Sequence, residues 1–228
     1  MQNGLMGKTI VIVGASSGLG KSLALLLHQK GARLLLLSRK IVQAKLPRER
    51  IEKIFCDVTE PKSIRLAFKK LDRKTKKIDV FINCVGIGLE EKLDQSSEEK
   101  IKDVIATNLT GAILVNREVF KRMIRQESGH IINVSSTSGK KARALETVYC
   151  ATKWGLAGFS ESLRLEAKEH GIRVSTIYPG GMKTPFYTDN PEKDIAEFMD
   201  PKYVAELIIN LMTSNPRITP SELVVERN

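Results

Sequence analysis

The chain has 228 residues, 37 basic and 26 acidic for a net charge of +11, and is 42% hydrophobic and 28% charged, an ordinary globular composition with enough apolar mass for the core of one α/β domain. No stretch reaches the roughly 18 apolar residues of a membrane span, and the opening MQNGLMGK lacks the apolar core of a signal peptide, so a cytoplasmic protein without a membrane partner is expected. Three cysteines without CxxC or CxxH spacing and three scattered histidines exclude a disulfide framework or zinc site as the organising principle, and no metal is expected.

The first predicted strand, Thr9–Val13, is continuously apolar, as a strand covered on both faces should be. Directly after it come Gly14, Ala15, Ser16, Ser17, Gly18, Leu19 and Gly20, then a helix predicted over Leu19–Lys30. Glycines at that junction permit a tight turn and a close approach of backbone to a pyrophosphate, which the helix N-terminus attracts. The spacing is GxxxGxG, not the commoner GxGxxG; alone the pattern is weak and a plain strand-to-helix turn is the alternative, but its place after the first strand and before a helix strengthens it. A second strand, Arg33–Leu37, runs into Ser38, Arg39 and Lys40. An acidic residue at this edge would hold a ribose 2′-hydroxyl and repel a 2′-phosphate. None is present, Ser38 can donate a hydrogen bond and Arg39 offers a phosphate-matching fork, so NADP(H) is expected over NAD(H).

A strand over Ile51–Cys56 and a helix over Pro61–Thr75 follow. The helix ends in the densest basic run, Lys69, Lys70, Arg73, Lys74, Lys76 and Lys77. Cations there complement the helix dipole, and the run has no interleaved aromatics to stack bases, so it reads as a solvated helix end and no nucleic-acid partner is expected. A strand over Val80–Asn83 precedes a long helix predicted over Ser97–Arg125, with Asn108 in its middle; a strand over His130–Val134 runs on into Ser135 and Ser136. Asn133, near the end of that strand, is expected to satisfy backbone groups there.

The next helix, Thr147–Glu169, opens with Tyr149 and Lys153. Positions four apart share a helix face, and a cation beside a phenol favours phenolate, making a proton donor and acceptor usable near neutral pH. A YxxxK pair alone is common on surface helices. It gains meaning from Ser136, 13 residues before Tyr149, and from Asn108. A strand over Arg173–Ile177, a Pro- and Gly-rich segment from Pro179 to Asp200, a helix over Pro201–Thr213 and a strand over Glu222–Val225 complete the chain. Strand and helix in regular alternation mean a doubly wound parallel sheet of about seven strands with helices on both faces. A long connection leaving the carboxyl edge of such a sheet is expected to be a binding loop.

On these motifs the sequence resembles the short-chain dehydrogenase/reductase family over nearly its whole length. Gly14, Gly18 and Gly20 are similar to the family's TGxxxGxG, with Val13 replacing threonine. Asp57 and Val58 resemble the adenine-contacting pair, and Asn83 to Gly86 resembles NNAG with Cys84 and Val85 as departures. Asn108, Ser136, Tyr149 and Lys153 match the catalytic tetrad, and Pro179, Gly180 and Thr184 match PGxxxT beside the nicotinamide. The resemblance implies one NAD(P)-binding Rossmann domain over residues 1–228, with its substrate loop at about 179–200. It implies cofactor contacts from Ser16, Ser17 and Leu19 at the phosphates, Ser38 and Arg39 at the 2′-phosphate, Asn83, Gly86, Tyr149 and Lys153 along the dinucleotide, and Thr184 near the carboxamide. It further implies Tyr149 as acid/base, Ser136 as partner to the reacting oxygen, Lys153 as pKa modulator and ribose ligand, and Asn108 as the anchor of a proton-relaying water. A homodimer or homotetramer acting on a small carbonyl or alcohol is expected. Two rivals stand beside it: a 3-oxoacyl-thioester or acyl-carrier reductase, with Lys140, Lys141 and Arg143 near the mouth of the site, and a non-catalytic NADP(H) sensor.

Overall fold

The computed structural model describes residues 4–187, 195–215 and 217–227. Seven strands form one parallel sheet: β1 (Thr9–Val13), β2 (Arg33–Ser38), β3 (Ile51–Phe55), β4 (Val80–Asn83), β5 (Gly129–Val134), β6 (Ile172–Pro179) and β7 (Glu222–Val225), in the order β3-β2-β1-β4-β5-β6-β7. The chain builds outward from β1 to β3, then returns to lay β4 on the other side of β1. Ile10 faces Val80 and Val13 faces Asn83 across that junction. Such a reversal leaves a crevice at the carboxyl ends of the two central strands.

Side chains alternate across each strand. Ile10 and Ile12 of β1 join Leu34, Leu36, Ile82 and Ile132 in one core layer under α1 (Gly18–Gln29) and α6 (Pro201–Thr213). Val11 and Val13 join Leu35, Leu37, Phe81 and Ile131 in the opposite layer, under α2 (Pro61–Lys74), α4 (Ala112–Gln126) and α5 (Thr147–Lys168). Both faces of the sheet are buried, which is why the strands read as unbroken apolar runs.

The helix expected over Ser97–Arg125 begins as α3 (Glu98–Ile105) and continues into α4 through a wide π-type turn, Ala106–Gly111. Such an insertion displaces one residue from the regular ladder and is frequent at functional sites. Ser97 caps the start, accepting from the Lys100 amide at 3.3 Å. Asp200 does the same for α6, accepting from Lys202 N at 2.8 Å, ahead of Pro201 at the first helical position. The described parts of the segment after β6 carry regular structure that its composition does not suggest. Met182 and Met199 form a parallel bridge, and Pro185–Tyr187 make one tight helical turn. The expected substrate loop in part lies outside the described residues, at 188–194.

Candidate active site

Elements at the carboxyl edge of β4 and β5 bring Asn108, Tyr149 and Lys153 close to one another, and Ser136 follows the end of β5. Asn108 sits in the π-type turn, fully buried. Its Nδ2 donates to Ile87 O and its Oδ1 accepts from Ile87 N, both at 2.8 Å, so one amide clamps the backbone leaving β4. Nδ2 also reaches Thr152 Oγ1 at 3.3 Å, and that hydroxyl donates to Tyr149 O at 2.8 Å. The wide turn thus links the strand end to the first turn of α5. A Cβ on Gly86 would lie 3.3 Å from Lys153 Nζ and 3.7 Å from Asn108 Oδ1, so a glycine here lets the main chain lie against the ammonium.

Lys153 is 3% exposed. Its Nζ donates to Val134 O at 3.3 Å, and Ser135 Oγ donates to Lys153 O at 3.0 Å. Burial brings the ammonium down to about 8, against a smaller opposing pull from Cys84. Cys84, next to it, has its thiol pushed up to about 12 by desolvation, which makes it an inert filler. Lys153 Nζ lies 5.6 Å from the centroid of the Tyr149 ring, itself 8% exposed. Ser136 leaves β5 and starts the short turn Thr137–Gly139, where its Oγ accepts from Ser138 N at 3.1 Å. Ser138 Oγ in turn donates to Glu146 Oε2 at 2.6 Å, tying that turn to the start of α5.

Across the crevice lies the glycine loop. Gly14 has φ +84°, and a Cβ there would stand 2.7 Å from Cys84 O; one at Gly20 would stand 2.3 Å from Gly14 O. Gly18 has φ +51° and faces the Thr184 side chain at 3.4 Å from the same construction. Ser17 precedes α1 without capping it by its side chain, so the first-turn N–H groups lack an internal acceptor. Ser16 is half-buried and Leu19 is buried. At the end of β2, Ser38 is buried with its Oγ unpartnered among the described residues, next to exposed Arg39. Asn83 accepts from Val85 N at 3.2 Å while its buried Nδ2 has no described partner. A backbone cradle and two orphaned polar groups along one edge fit a dinucleotide. Asp57 is turned inward, accepting from Thr59 N at 3.0 Å and Thr59 Oγ1 at 2.7 Å. Val58 packs its carbonyl where a Cβ on Gly111 would be, at 2.7 Å. Pro179 closes β6, and Gly180 N donates to Val225 O at 2.8 Å.

Lys140 and Lys141, expected near the mouth of the site, form ion pairs with β7 and the residues after it, Lys140 with Glu222 at 2.7 Å and Lys141 with Glu226 at 3.2 Å. One expectation is corrected. Asn133, expected to satisfy backbone, instead donates to Ser160 Oγ at 3.0 Å and accepts from Asn116 Nδ2 at 2.8 Å. Asn116 went unnoticed in the sequence, although an asparagine on the apolar face of a helix is a signal of a buried polar pair. The basic run behaves as a solvated helix end, with Lys74 on Glu52 at 3.1 Å and Lys77 on Asp79 at 3.2 Å. Among the described residues no cluster of His, Cys, Asp and Glu could hold a metal, and no helix is long and apolar enough to cross a membrane.

The family model described as short chain dehydrogenase matches residues 8–194. Carbonyl reductase family member 4 of Xenopus laevis is 33% identical, with 97% of each chain covered. The 3-oxoacyl-[acyl-carrier-protein] reductase of Bos taurus is 30% identical, again over 97% of both. Among solved structures, a variant of the actinorhodin polyketide ketoreductase with NADPH superposes with a TM-score of 0.84 at 26% identity, covering 96% of this chain and 95% of its own.

Proposed function

The chain belongs to the short chain dehydrogenase family, and from that premise we propose that it is an NADP(H)-dependent oxidoreductase that reduces a carbonyl, or oxidises the matching alcohol, with Tyr149 as acid and base. The observation that carries the reading is the pairing of a buried Lys153 ammonium with the Tyr149 ring, 5.6 Å apart, at the carboxyl edge of the sheet that also bears the glycine cradle.

Each residue then has a task its surroundings suit. Tyr149 gives its hydroxyl proton to the carbonyl oxygen in reduction and takes it back in oxidation. Ser136 Oγ already accepts from Ser138 N, so its own proton is free to reach the same oxygen and steady the charge growing there. Lys153, brought down to about 8, is mostly charged at neutral pH yet can exchange its proton nearby, which suits both lowering the phenol and holding a ribose. Asn108 keeps Gly86 and Ile87 against that ammonium, and the second lone pair of its Oδ1 is left for a proton-relaying water. The dinucleotide, when bound, supplies or accepts the hydride. Gly14, Ser16, Ser17, Gly18, Leu19 and Gly20 would hold its phosphates, Ser38 and Arg39 its 2′-phosphate, Asp57 and Val58 its adenine, Asn83, Gly86, Tyr149 and Lys153 its riboses, and Pro179, Gly180 and Thr184 its nicotinamide. The unpartnered Ser38 Oγ and the absence of acid at that edge support NADP(H) over NAD(H). The ketoreductase structure contains NADPH, which points the same way.

A 3-oxoacyl thioester is the second reading, favoured by the bovine relative. Lys140 and Lys141, the cations expected to favour it, are paired with Glu222 and Glu226. A homodimer or homotetramer through α4 and α5 fits the half-exposed Trp154 on α5, and three free cysteines suit a reducing cytoplasm. The test is a panel of ketones, aldehydes, diketones and acetoacetyl thioesters followed by NADPH absorbance, with Tyr149→Phe as control. Turnover on the panel that falls by orders of magnitude in the variant while NADPH still binds is expected. Near-normal turnover in Tyr149→Phe refutes the assignment.

A further inference from the structure

We propose that Phe186 sets the width of the carbonyl pocket beside Tyr149, so that the preferred substrate carries a flat or small group on the carbonyl carbon and a branched group is refused. This rests on the carbonyl-reductase reading and adds a substrate class to it.

The ring of Phe186 stands edge-on to Tyr149, with centroids 5.8 Å apart and planes at 63°. The ring also occupies space that a side chain at residue 88 would need. A Cβ there would lie 3.0 Å from Phe186 Cε1 and 3.3 Å from Cζ, so any side chain at this position would press on the ring edge. Gly88 does not need glycine for its backbone, having no positive φ; the ring accounts for the missing side chain. The main chain under the ring is held too. Phe186 N donates to Thr184 Oγ1 at 3.4 Å, and the Thr184 side chain packs against Gly18 of the cradle. The stem is clasped further back, with Lys183 N on Met199 O at 2.8 Å and Met199 N on Gly181 O at 3.0 Å. A ring wedged between a glycine and the catalytic phenol is a fixed aromatic wall. A carbonyl whose oxygen reaches the Tyr149 hydroxyl must pass one substituent along that wall, where a planar group meets an aromatic surface and a branched one meets its edge.

The experiment compares benzophenone, flat on both sides of the carbonyl, with diisopropyl ketone, branched on both sides, on the NADPH-loaded protein, reading kcat/KM for both and binding of both by calorimetry. Proteins compared are the wild type, Phe186→Ala, Phe186→Leu, Gly88→Ala and the Gly88→Ala, Phe186→Ala pair, each checked by melting. In Phe186→Ala the preference for the flat ketone is expected to fall about tenfold or more, the size of a pocket-shape discrimination, with Phe186→Leu between. Gly88→Ala, which displaces the ring, lowers the preference in the wild type and adds nothing in Phe186→Ala. An unchanged preference in Phe186→Ala, or additive effects of the two substitutions, overturns the inference and leaves the carbonyl-reductase reading standing. A wild type that prefers the branched ketone, or reduces neither ketone, overturns the inference; the carbonyl-reductase reading falls only if the whole panel of ketones, aldehydes, diketones and thioesters gives no turnover.

Discussion

His130 should make the fold sensitive to mild acid. Its Nε2 lies 2.9 Å from Ser175 Oγ, and Ser175 Oγ donates its own proton to Pro220 O at 2.7 Å. Nε2 must therefore carry the ring proton. Nδ1 is left as a bare lone pair, buried and without a partner among the described residues. A second proton would place an unpaired N–H⁺ in the core, on the strand position paired with Arg173, and burial foremost, then the Arg173 charge, brings the imidazole down from 6.5 to about 3. The folded state thus binds this proton later than the unfolded chain does, and between about pH 6.5 and 3 stability falls as pH falls. At about pH 5 the unfolded histidine has gained roughly 1.5 pH units' worth of protonation, a loss of about 2 kcal/mol relative to neutral pH. The assay is urea unfolding at fixed ionic strength from about pH 5 to 7.5, for wild type and His130→Asn. Asp72, Asp79 and Glu222 lie below their ordinary values and titrate beneath this window in both proteins. The variant is less stable at neutral pH but loses about 2 kcal/mol less on acidification. Parallel pH dependences in the two proteins would refute the reasoning.

Two substitutions probe the cofactor side. Gly20→Ala puts a methyl against the backbone of Gly14 and Ala15; a rise of at least about tenfold in the NADPH dissociation constant and a loss of roughly 1–3 kcal/mol in stability are expected. Fluorescence titration and melting check this, and wild-type values for both would contradict it. Ser38→Asp places a carboxylate where the orphaned hydroxyl now lies; the NADPH-to-NADH ratio of kcat/KM should drop by about tenfold or more. A wild-type ratio below one would overturn the cofactor preference outright.

Much of the scaffold was legible because its signals are local. β1, β4 and β7 have the bounds expected from their apolar runs, and α6 starts and ends where Pro201 and Thr213 indicate. The glycine loop and the Tyr149 to Lys153 spacing are likewise short-range patterns. What escaped depends on contacts between distant residues. Nothing in the stretch around Asn108 announces a π-type turn, since the extra residue is stabilised by the Ile87 clamp 21 positions away. Lys140 meets Glu222 across 82 positions, so a reading along the chain left it free to face a substrate. The Asn133, Asn116 and Ser160 polar cluster joins one strand and two helices, and only the assembled fold brings those positions together. Phe186 against Gly88 belongs to the same class.

The most direct measurement of the central claim follows the hydrogen itself. NADPH deuterated at the transferring position of the nicotinamide is incubated with a reduced member of the carbonyl panel, and the alcohol is analysed by mass spectrometry for wild type and Tyr149→Phe. The account predicts one deuterium on the carbinol carbon with wild type and almost no alcohol with the variant. Alcohol formed without the label, or labelled alcohol made equally fast by Tyr149→Phe, would contradict it.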